Sequence, residues 1–325
     1  MKLLSYKIDG AKACQIGMLE NKSIYNLNLF FGDISLIDLI QIDNYQNQIN
    51  SFINKQKVII HDIKSVDLLP PIPQPNSFRD AYAFREHVET CRENRGAKLI
   101  AEFDQFPVFY FSNHNAMLAD GENIELMPDH FNQLDYELEL AIVIGKGGKN
   151  ISSKDAEKHI AGFCILNDIS ARTLQMEEMK LNLGPAKGKD FANVIGPYLV
   201  TKDELDVKAI ETEFGKKYDL MMKCYVNGEL LSQGNAKDMN WTFAEIIERA
   251  SYGVELFAGD IIGSGTVGTG CLLELNGSRK KEDPNYIEQW LQEGDQIKMQ
   301  IEGLGSITNS IIKTNSNHSI LKLKK

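Results

Sequence analysis

Two carboxylates spaced by one residue, and a third at the end of a separate apolar run, are the groups in this sequence best placed to do chemistry. Leu134-Asp-Tyr-Glu-Leu-Glu-Leu140 alternates, so in a strand Glu137 and Glu139 point to one face about 7 Å apart, while Tyr136, Leu138 and Leu140 point to the other. From Ala141 to Ile144 both faces are apolar, the pattern of a strand entering a core. Carboxylates at the mouth of such a strand need a cation or hydrogen-bond donors to offset lost hydration. Phe163-Cys-Ile-Leu-Asn-Asp168 brings Asp168 to the same kind of position. Together these groups read as a buried metal site, although Glu-x-Glu alone also fits a half-exposed strand with a wet acidic face.

Other candidates are scattered. Asp80 and His87 are seven apart, which on one continuous helix places them on a shared face about 10 Å apart along the axis. Asp168 is followed by Ser170, Arg172 and Gln175, which a following helix would present from one region, and a local Asp168 to Arg172 ion pair is the plainer alternative. Leu183-Gly-Pro-Ala-Lys-Gly-Lys-Asp-Phe191 holds Lys187 and Lys189 in a glycine-rich loop, a composition that usually means a solvated turn. Gly263-Ser-Gly-Thr-Val-Gly268 matches the dinucleotide fingerprint formally. The match is rejected because Cys271-Leu-Leu-Glu-Leu275 reads as a strand and no βαβ pattern surrounds it. Its glycines are expected to let backbone amides approach an anionic ligand, with Thr266 as a hydroxyl donor. Glu274, inside that apolar run, is another buried carboxylate.

The elements that must position these groups are mostly strands, expected at 107–112, 136–144, 161–168, 195–201, 219–227, 260–264, 271–275, 296–302 and 306–313, with Asn227-Gly228 as a hairpin turn. The spacing predicts helices over Phe78 to Arg95, from Ser153 to Ile160, and from a capping box at Thr242-Phe-Ala-Glu245 to about Ser251. Residues 1–68 read as a small separate α+β unit, with turns at Asp9-Gly10 and Glu20-Asn21 and a helical stretch starting near Asp33. Four of the nine prolines fall in Pro70–Pro75, marking 69–76 as a stiff linker before the larger domain, 77–325. Strands do not alternate regularly with helices, so the fold class is α+β and strand-dominated.

The composition narrows the function classes. At 325 residues, 43% hydrophobic and 25% charged, the chain can build a sizeable core. A formal net charge of −10, with no basic cluster beyond Lys322–Lys325, disfavours nucleic acid and anionic membrane as partners and leaves small anionic substrates that meet local cations. No run approaches the roughly 20 apolar residues of a membrane span, and the first residues have no signal-peptide core, so a cytoplasmic location is expected. Five widely spaced cysteines without a Cys-x-x-Cys read as buried reduced thiols.

Taken together, Asp80-x-Tyr82 with His87, Glu137-x-Glu139, Asn167-Asp168-x-Ser-Ala-Arg172-x-x-Gln175, Gly188-Lys189, Ser264-Gly-Thr266 and Glu274 resemble, in order and spacing, the fumarylacetoacetate hydrolase family, over about residues 75 to 325. The resemblance implies a mixed β-roll or sandwich, often homodimeric. It also implies Mg²⁺ or Ca²⁺, with Mn²⁺ as a further candidate, held by Glu137, Glu139 and Asp168, with Asp80 as an added ligand. An all-oxygen set suits such hard cations. By the same resemblance His87 is the general base that activates water, Glu274 assists it, Lys189 belongs to the catalytic group, and Tyr82, Arg172, Gln175 and Thr266 contact substrate. The implied reaction is hydrolysis of a carbon–carbon bond in a small anionic β-diketo acid, of fumarylacetoacetate or acylpyruvate type, as in aromatic amino acid catabolism. Oxaloacetate decarboxylation and isomerisation of hydroxydiene-dioates are alternatives on the same scaffold, and a non-catalytic, metal-stabilised binding protein is a third. Met179 stands where the tyrosine-degrading members carry a second substrate tyrosine, and the Lys189 loop is one residue longer.

Overall fold

The computed structural model describes residues 1–8, 13–55 and 60–321, so the turn expected at Asp9-Gly10 and the Lys322–Lys325 tail lie outside the described residues. Strand Leu138–Ile144 is central, pairing antiparallel with Ile160–Asp168 on one side and Ile261–Gly263 on the other. Leu138, Leu140, Ile142 and Ile144 pack into one apolar cluster, while Ala141 and Val143 pack into a second. The strand is apolar on both faces because a core lies on each. The sheet runs in the order Ile60–Asp62, Ser23–Asn26, Gln15–Glu20, Lys2–Ile8, Asn193–Thr201, Ile160–Asp168, Leu138–Ile144, Ile261–Gly263, Phe78–Ala81, Phe109–Ser112. Val66–Leu68 and Met117–Leu118 attach at its sides to complete twelve strands. A five-stranded sheet, ordered Glu229–Asn235, Met221–Val226, Gln296–Ile301, Gly305–Lys313, Ile124–Leu126, contributes Met222, Cys224, Ile297, Met299 and Ile307 to the first cluster. The two sheets thus share one core, in a strand-rich α+β fold.

The second cluster joins Leu3, Ile16, Leu36, Leu39, Ile49 and Phe52 to Ala141, Val143, Cys164 and Leu166. Because Lys2–Ile8 pairs with Asn193–Thr201, the sheet is continuous across the Pro-rich connector. The N-terminal residues cover the face that carries Glu139, farther along the strand.

Local signals explain several elements. Asn227 and Gly228 take φ of 52° and 85° with Val226 opposite Glu229, the left-handed pair a two-residue hairpin needs. Thr242 Oγ1 accepts from Glu245 N at 3.2 Å and Glu245 Oε2 accepts from Thr242 N at 2.8 Å, opening helix Phe243–Ser251. The predicted Ser153–Ile160 helix is one short α-turn, Ser153–Ala156, continued as a 3₁₀ turn over Glu157–His159. Two expectations are corrected. Phe78 to Arg95 is not one helix: Phe78–Ala81 is a strand between two others, and the helix is Arg85–Asn94. Cys271 to Leu275 is not a strand but the start of helix Leu272–Glu282.

Candidate active site and metal centre

Sheet register assembles the acidic groups. Tyr110 lies opposite Asp80, Asp80 beside Gly263, and Gly263 opposite Ala141, two residues beyond Glu139. Glu139 lies opposite Leu166, two residues before Asp168. Alternation sends these side chains to one face, so Asp80, Glu137, Glu139 and Asp168 converge, each with an oxygen within 4.8 Å of the others'. All four are buried. Asp80 leans across Gly263, where a Cβ would stand 2.3 Å from its Oδ1. Gly265, at φ +77°, then turns its N–H onto Asp80 Oδ1 at 3.2 Å and Glu139 Oε2 at 3.1 Å. The glycine amide expected to face a ligand therefore serves the protein's own carboxylates. Contrary to expectation, a helix, Leu272–Glu282, does follow the Gly263–Gly268 segment. No dinucleotide-binding βαβ unit surrounds it among the described residues, since Ile261–Gly263 pairs antiparallel with Leu138–Ile144 and parallel with the distant Phe78–Ala81.

Cations and hydroxyls partly compensate this cluster. Lys189 Nζ lies 2.7 Å from Asp168 Oδ2 and also donates to Glu137. Tyr110 Oη lies 3.0 Å from Asp80 Oδ2 and also within hydrogen-bond reach of Asp168 Oδ2, so its single proton serves one of these carboxylates at a time. Arg172 Nη2 stands 2.7 Å from both Asp135 Oδ2 and Glu137 Oε1, and its Nη1 donates to Gln175 Oε1 at 3.0 Å, so its ion pairs are not with Asp168. Burial opposes ionisation of Glu137, but Lys189 and Arg172 outweigh it and hold that carboxyl below the ordinary range. Burial, then Asp80 and Glu137, push Glu139 well above its ordinary value. Asp168 is lifted to about 7, by burial first, with Lys189 opposing and Glu137 and Asp80 adding. Asp168 Oδ1 is buried without a hydrogen-bond partner. An oxygen with no partner among the described residues, within a set of four carboxylates too buried and too close together to ionise fully without a cation, fits a hard divalent cation bound by oxygen alone.

Above this floor, His87 Nδ1 lies 2.7 Å from Glu274 Oε2, and Glu274 Oε1 accepts from Thr269 N at 2.8 Å. Glu274 sits in the first turn of its helix, whose Leu272 and Leu273 amides donate to Asp135 at 2.7 and 2.9 Å. Burial disfavours charge on His87. Cys271 beside it is kept neutral by burial, so Glu274 is the group that favours the imidazolium, and the balance lies above the ordinary histidine value.

A cavity of about 260 Å³ opens onto both groups. Of the residues singled out in the sequence, Asp80, Tyr82, His87, Glu137, Glu139, Arg172, Gln175, Lys189 and Thr266 line it, and so does Met179. Asp168 and Glu274 stand directly behind, bonded to Lys189 and His87. Sequence reasoning passed over Tyr110, Arg95 and Asp135. Asp135 had a signal, since it extends the Glu137, Glu139 alternation by one step. Tyr110 and Arg95 had none.

The domain model described as fumarylacetoacetate (FAA) hydrolase C-terminal matches residues 76–312. Oxaloacetate tautomerase YisK from Bacillus subtilis (strain 168) is 33% identical over 255 residues, 78% of this chain and 75% of that protein. The mitochondrial oxaloacetate tautomerase FAHD2B of Bos taurus is 31% identical over 248 residues, 76% of this chain and 70% of that protein. Among solved structures, a fumarylacetoacetate hydrolase from psychrophilic Exiguobacterium antarcticum superposes with a TM-score of 0.71 at 26% identity, covering 97% of this chain and 100% of that one. The matched span holds the whole acidic cluster, His87 and Glu274, and the chain belongs to the fumarylacetoacetate hydrolase family.

Proposed function

We propose that this chain is an enzyme of keto–enol chemistry on a small 2-oxo dicarboxylic acid of the oxaloacetate type, moving a proton at the carbon next to the keto group. The observation that carries this reading is the His87–Glu274 pair, 2.7 Å apart, in the wall of a cavity whose floor is the acidic cluster. A hard divalent cation (Mg²⁺, Ca²⁺ or Mn²⁺) held by Glu137, Glu139, Asp168 and Asp80 would polarise the keto oxygen and acidify the adjacent C–H. In its neutral form His87 takes that proton on Nε2 and returns it as the imidazolium, while Glu274 holds Nδ1 and steadies the charged ring. Lys189 and Arg172 are spent largely on carboxylates of the site. Arg95 lines the cavity, is exposed, and has no acidic partner among the described residues; its Nε donates to Cys91 O at 3.0 Å, which leaves its terminal nitrogens to meet a substrate carboxylate. The 260 Å³ volume sits below the usual range of about 300–1,000 Å³ for drug-sized ligands, which suits a four-carbon diacid. The two tautomerases, each alignable over three quarters of the chain, support the same substrate class.

Hydrolysis of a carbon–carbon bond in a β-diketo acid is the second reading, supported by the likeness to the Exiguobacterium hydrolase along nearly the whole chain. It asks His87 to activate water instead. The deciding experiment is an NMR time course of Mg²⁺-loaded protein in D₂O with oxaloacetate, fumarylacetoacetate and acylpyruvates. Faster enol decay and C3 deuteration of oxaloacetate, lost in His87→Ala, support the tautomerase. Cleavage of a diketo acid into two acids, with no effect on oxaloacetate, would replace it with the hydrolase.

A further inference from the structure

A second group of ligand atoms adjoins the acidic floor and is of a different chemical kind. His87, Cys91, Cys271 and Glu274 bring one nitrogen, two sulfurs and one oxygen within 4.8 Å of one another, all from buried side chains. Cys91 Sγ is 3.8 Å from His87 Nδ1, and Glu274 Oε2 is 2.7 Å from the same nitrogen. In a tetrahedral zinc site, bonds of about 2.3 Å to sulfur and 2.0–2.1 Å to nitrogen or oxygen set ligand atoms roughly 3.5 Å apart. The ligand atoms, none more than 4.8 Å from another, therefore already stand near the spacing an ion would need. His87 and Cys91 are one helical turn apart on Arg85–Asn94, while Cys271 and Glu274 begin Leu272–Glu282. Two packed helices thus hold the set rigidly, and His87 and Cys91 line the cavity, which gives an ion its way in. The proton chemistry above uses neither thiol.

We infer that His87, Cys91, Cys271 and Glu274 form a second, thiolate-containing cation site, selective for Zn²⁺ and similar soft ions, whose occupation silences the enzyme by taking His87 and Glu274 as ligands. Thiolate and imidazole select zinc-like ions where the all-oxygen floor selects hard ones. Two adjacent sites would thus sort metals by softness, one activating and one inhibiting. The inhibition rests on the role proposed for His87; the binding does not.

The test uses the full chain with Mg²⁺ in excess, titrated with Cd²⁺ as an optical probe and with Zn²⁺ during turnover. One equivalent of Cd²⁺ should give the ultraviolet thiolate charge-transfer absorption. Cys271→Ser should lose that band, keep its Mg²⁺-dependent turnover, and need at least about tenfold more Zn²⁺ for half-inhibition. The serine retains an N-cap residue for the helix that starts at Leu272. Absence of the band in the wild type overturns the proposal. So does a band that persists in Cys271→Ser and vanishes in Cys14→Ser, since Cys14 is the exposed thiol. A band without inhibition supports the site and instead removes His87 from the proton chemistry.

Discussion

Glu274→Gln separates the charge of Glu274 from its geometry. The amide fits the same space, and its Oε1 still accepts the Thr269 amide now bonded at 2.8 Å. Its NH₂ then faces His87 Nδ1, in place of the carboxylate oxygen at 2.7 Å. An NH₂ donor forces Nδ1 to accept, which moves the ring proton to Nε2, the atom that must be free to take the substrate proton. It also removes the negative charge that supports the imidazolium. The fold should lose about 1 kcal/mol, because one charge-assisted bond becomes neutral. Turnover should fall by about 10²–10⁴-fold, the usual range for losing a positioned acid–base group. The assay is deuterium incorporation at C3 of oxaloacetate, followed by NMR, beside thermal melts with and without Mg²⁺. KM and the Mg²⁺-induced melting shift should stay near wild type. Turnover within a factor of three, under about 0.7 kcal/mol in barrier, would refute the assignment of His87 and Glu274 as the proton-moving pair.

Further outcomes follow from the same contacts. Gly263→Ala forces a Cβ to within 2.3 Å of Asp80 Oδ1 and 2.8 Å of Leu166 Cδ2, so it should cost about 1–3 kcal/mol in denaturant unfolding and weaken Mg²⁺ binding by calorimetry. Mg²⁺ at a hundred times its Kd should stabilise the wild type by about 2.7 kcal/mol, and Asp168→Asn should abolish that gain in a melting assay. Arg95→Met should raise KM for a 2-oxo diacid by about tenfold, near 1.4 kcal/mol, and leave KM for a monocarboxylic 2-oxo acid unchanged in steady-state kinetics. His130 is held neutral, its pKa lowered to about 4 by burial and then by Lys187, while its Nδ1 accepts from Met127 N at 3.2 Å. A depressed histidine value means stability is complete above about 6.5 and is lost as pH falls toward 4, up to about 3 kcal/mol. His130→Gln should flatten that part of the pH dependence of unfolding.

Local signals were legible wherever the cause was local. The alternation through Glu139, the Asn227-Gly228 turn and the Thr242 capping box each state their structure within a few residues and take it, although the strand expected from Tyr136 begins at Leu138 and leaves Glu137 just before it. Errors arose where the cause lay far along the chain. Leu272–Glu282 has no side-chain cap of its own, and Asp135 receives its first amides instead. No window around Cys271 contains that cap, so the apolar run reads as a strand. Phe78–Ala81 is a strand because Ile261–Gly263 and Phe109–Ser112 flank it, while its helical spacing belongs to the residues that follow. Tyr110 was invisible for the same reason. Its place opposite Asp80 is a fact of register, and register is written in the pairing of strands rather than in either one.

The two reaction readings differ less in their catalytic groups than in their need for water. Both use His87, Glu274 and the acidic floor, and both generate an enolate, but only the hydrolase must admit a water beside the substrate carbonyl. Val108, Phe109, Met176, Met179 and Leu273 supply an apolar part of the cavity lining, beside the site's polar groups. Where a bound substrate covers such side chains, they keep water from the reacting carbon and strengthen the electrostatic effect of the charges nearby. Exclusion favours a proton that goes out and back on one imidazole over a bond that must be broken by solvent. Met179 is the informative position, since it is half exposed at the rim of that wall. Met179→Tyr would place a hydroxyl there and offer a water an anchor. If dryness is what selects tautomerisation, this variant should gain carbon–carbon cleavage of acylpyruvates while C3 exchange of oxaloacetate slows. Cleavage already present in the wild type at a comparable rate would show that the wall does not set the reaction.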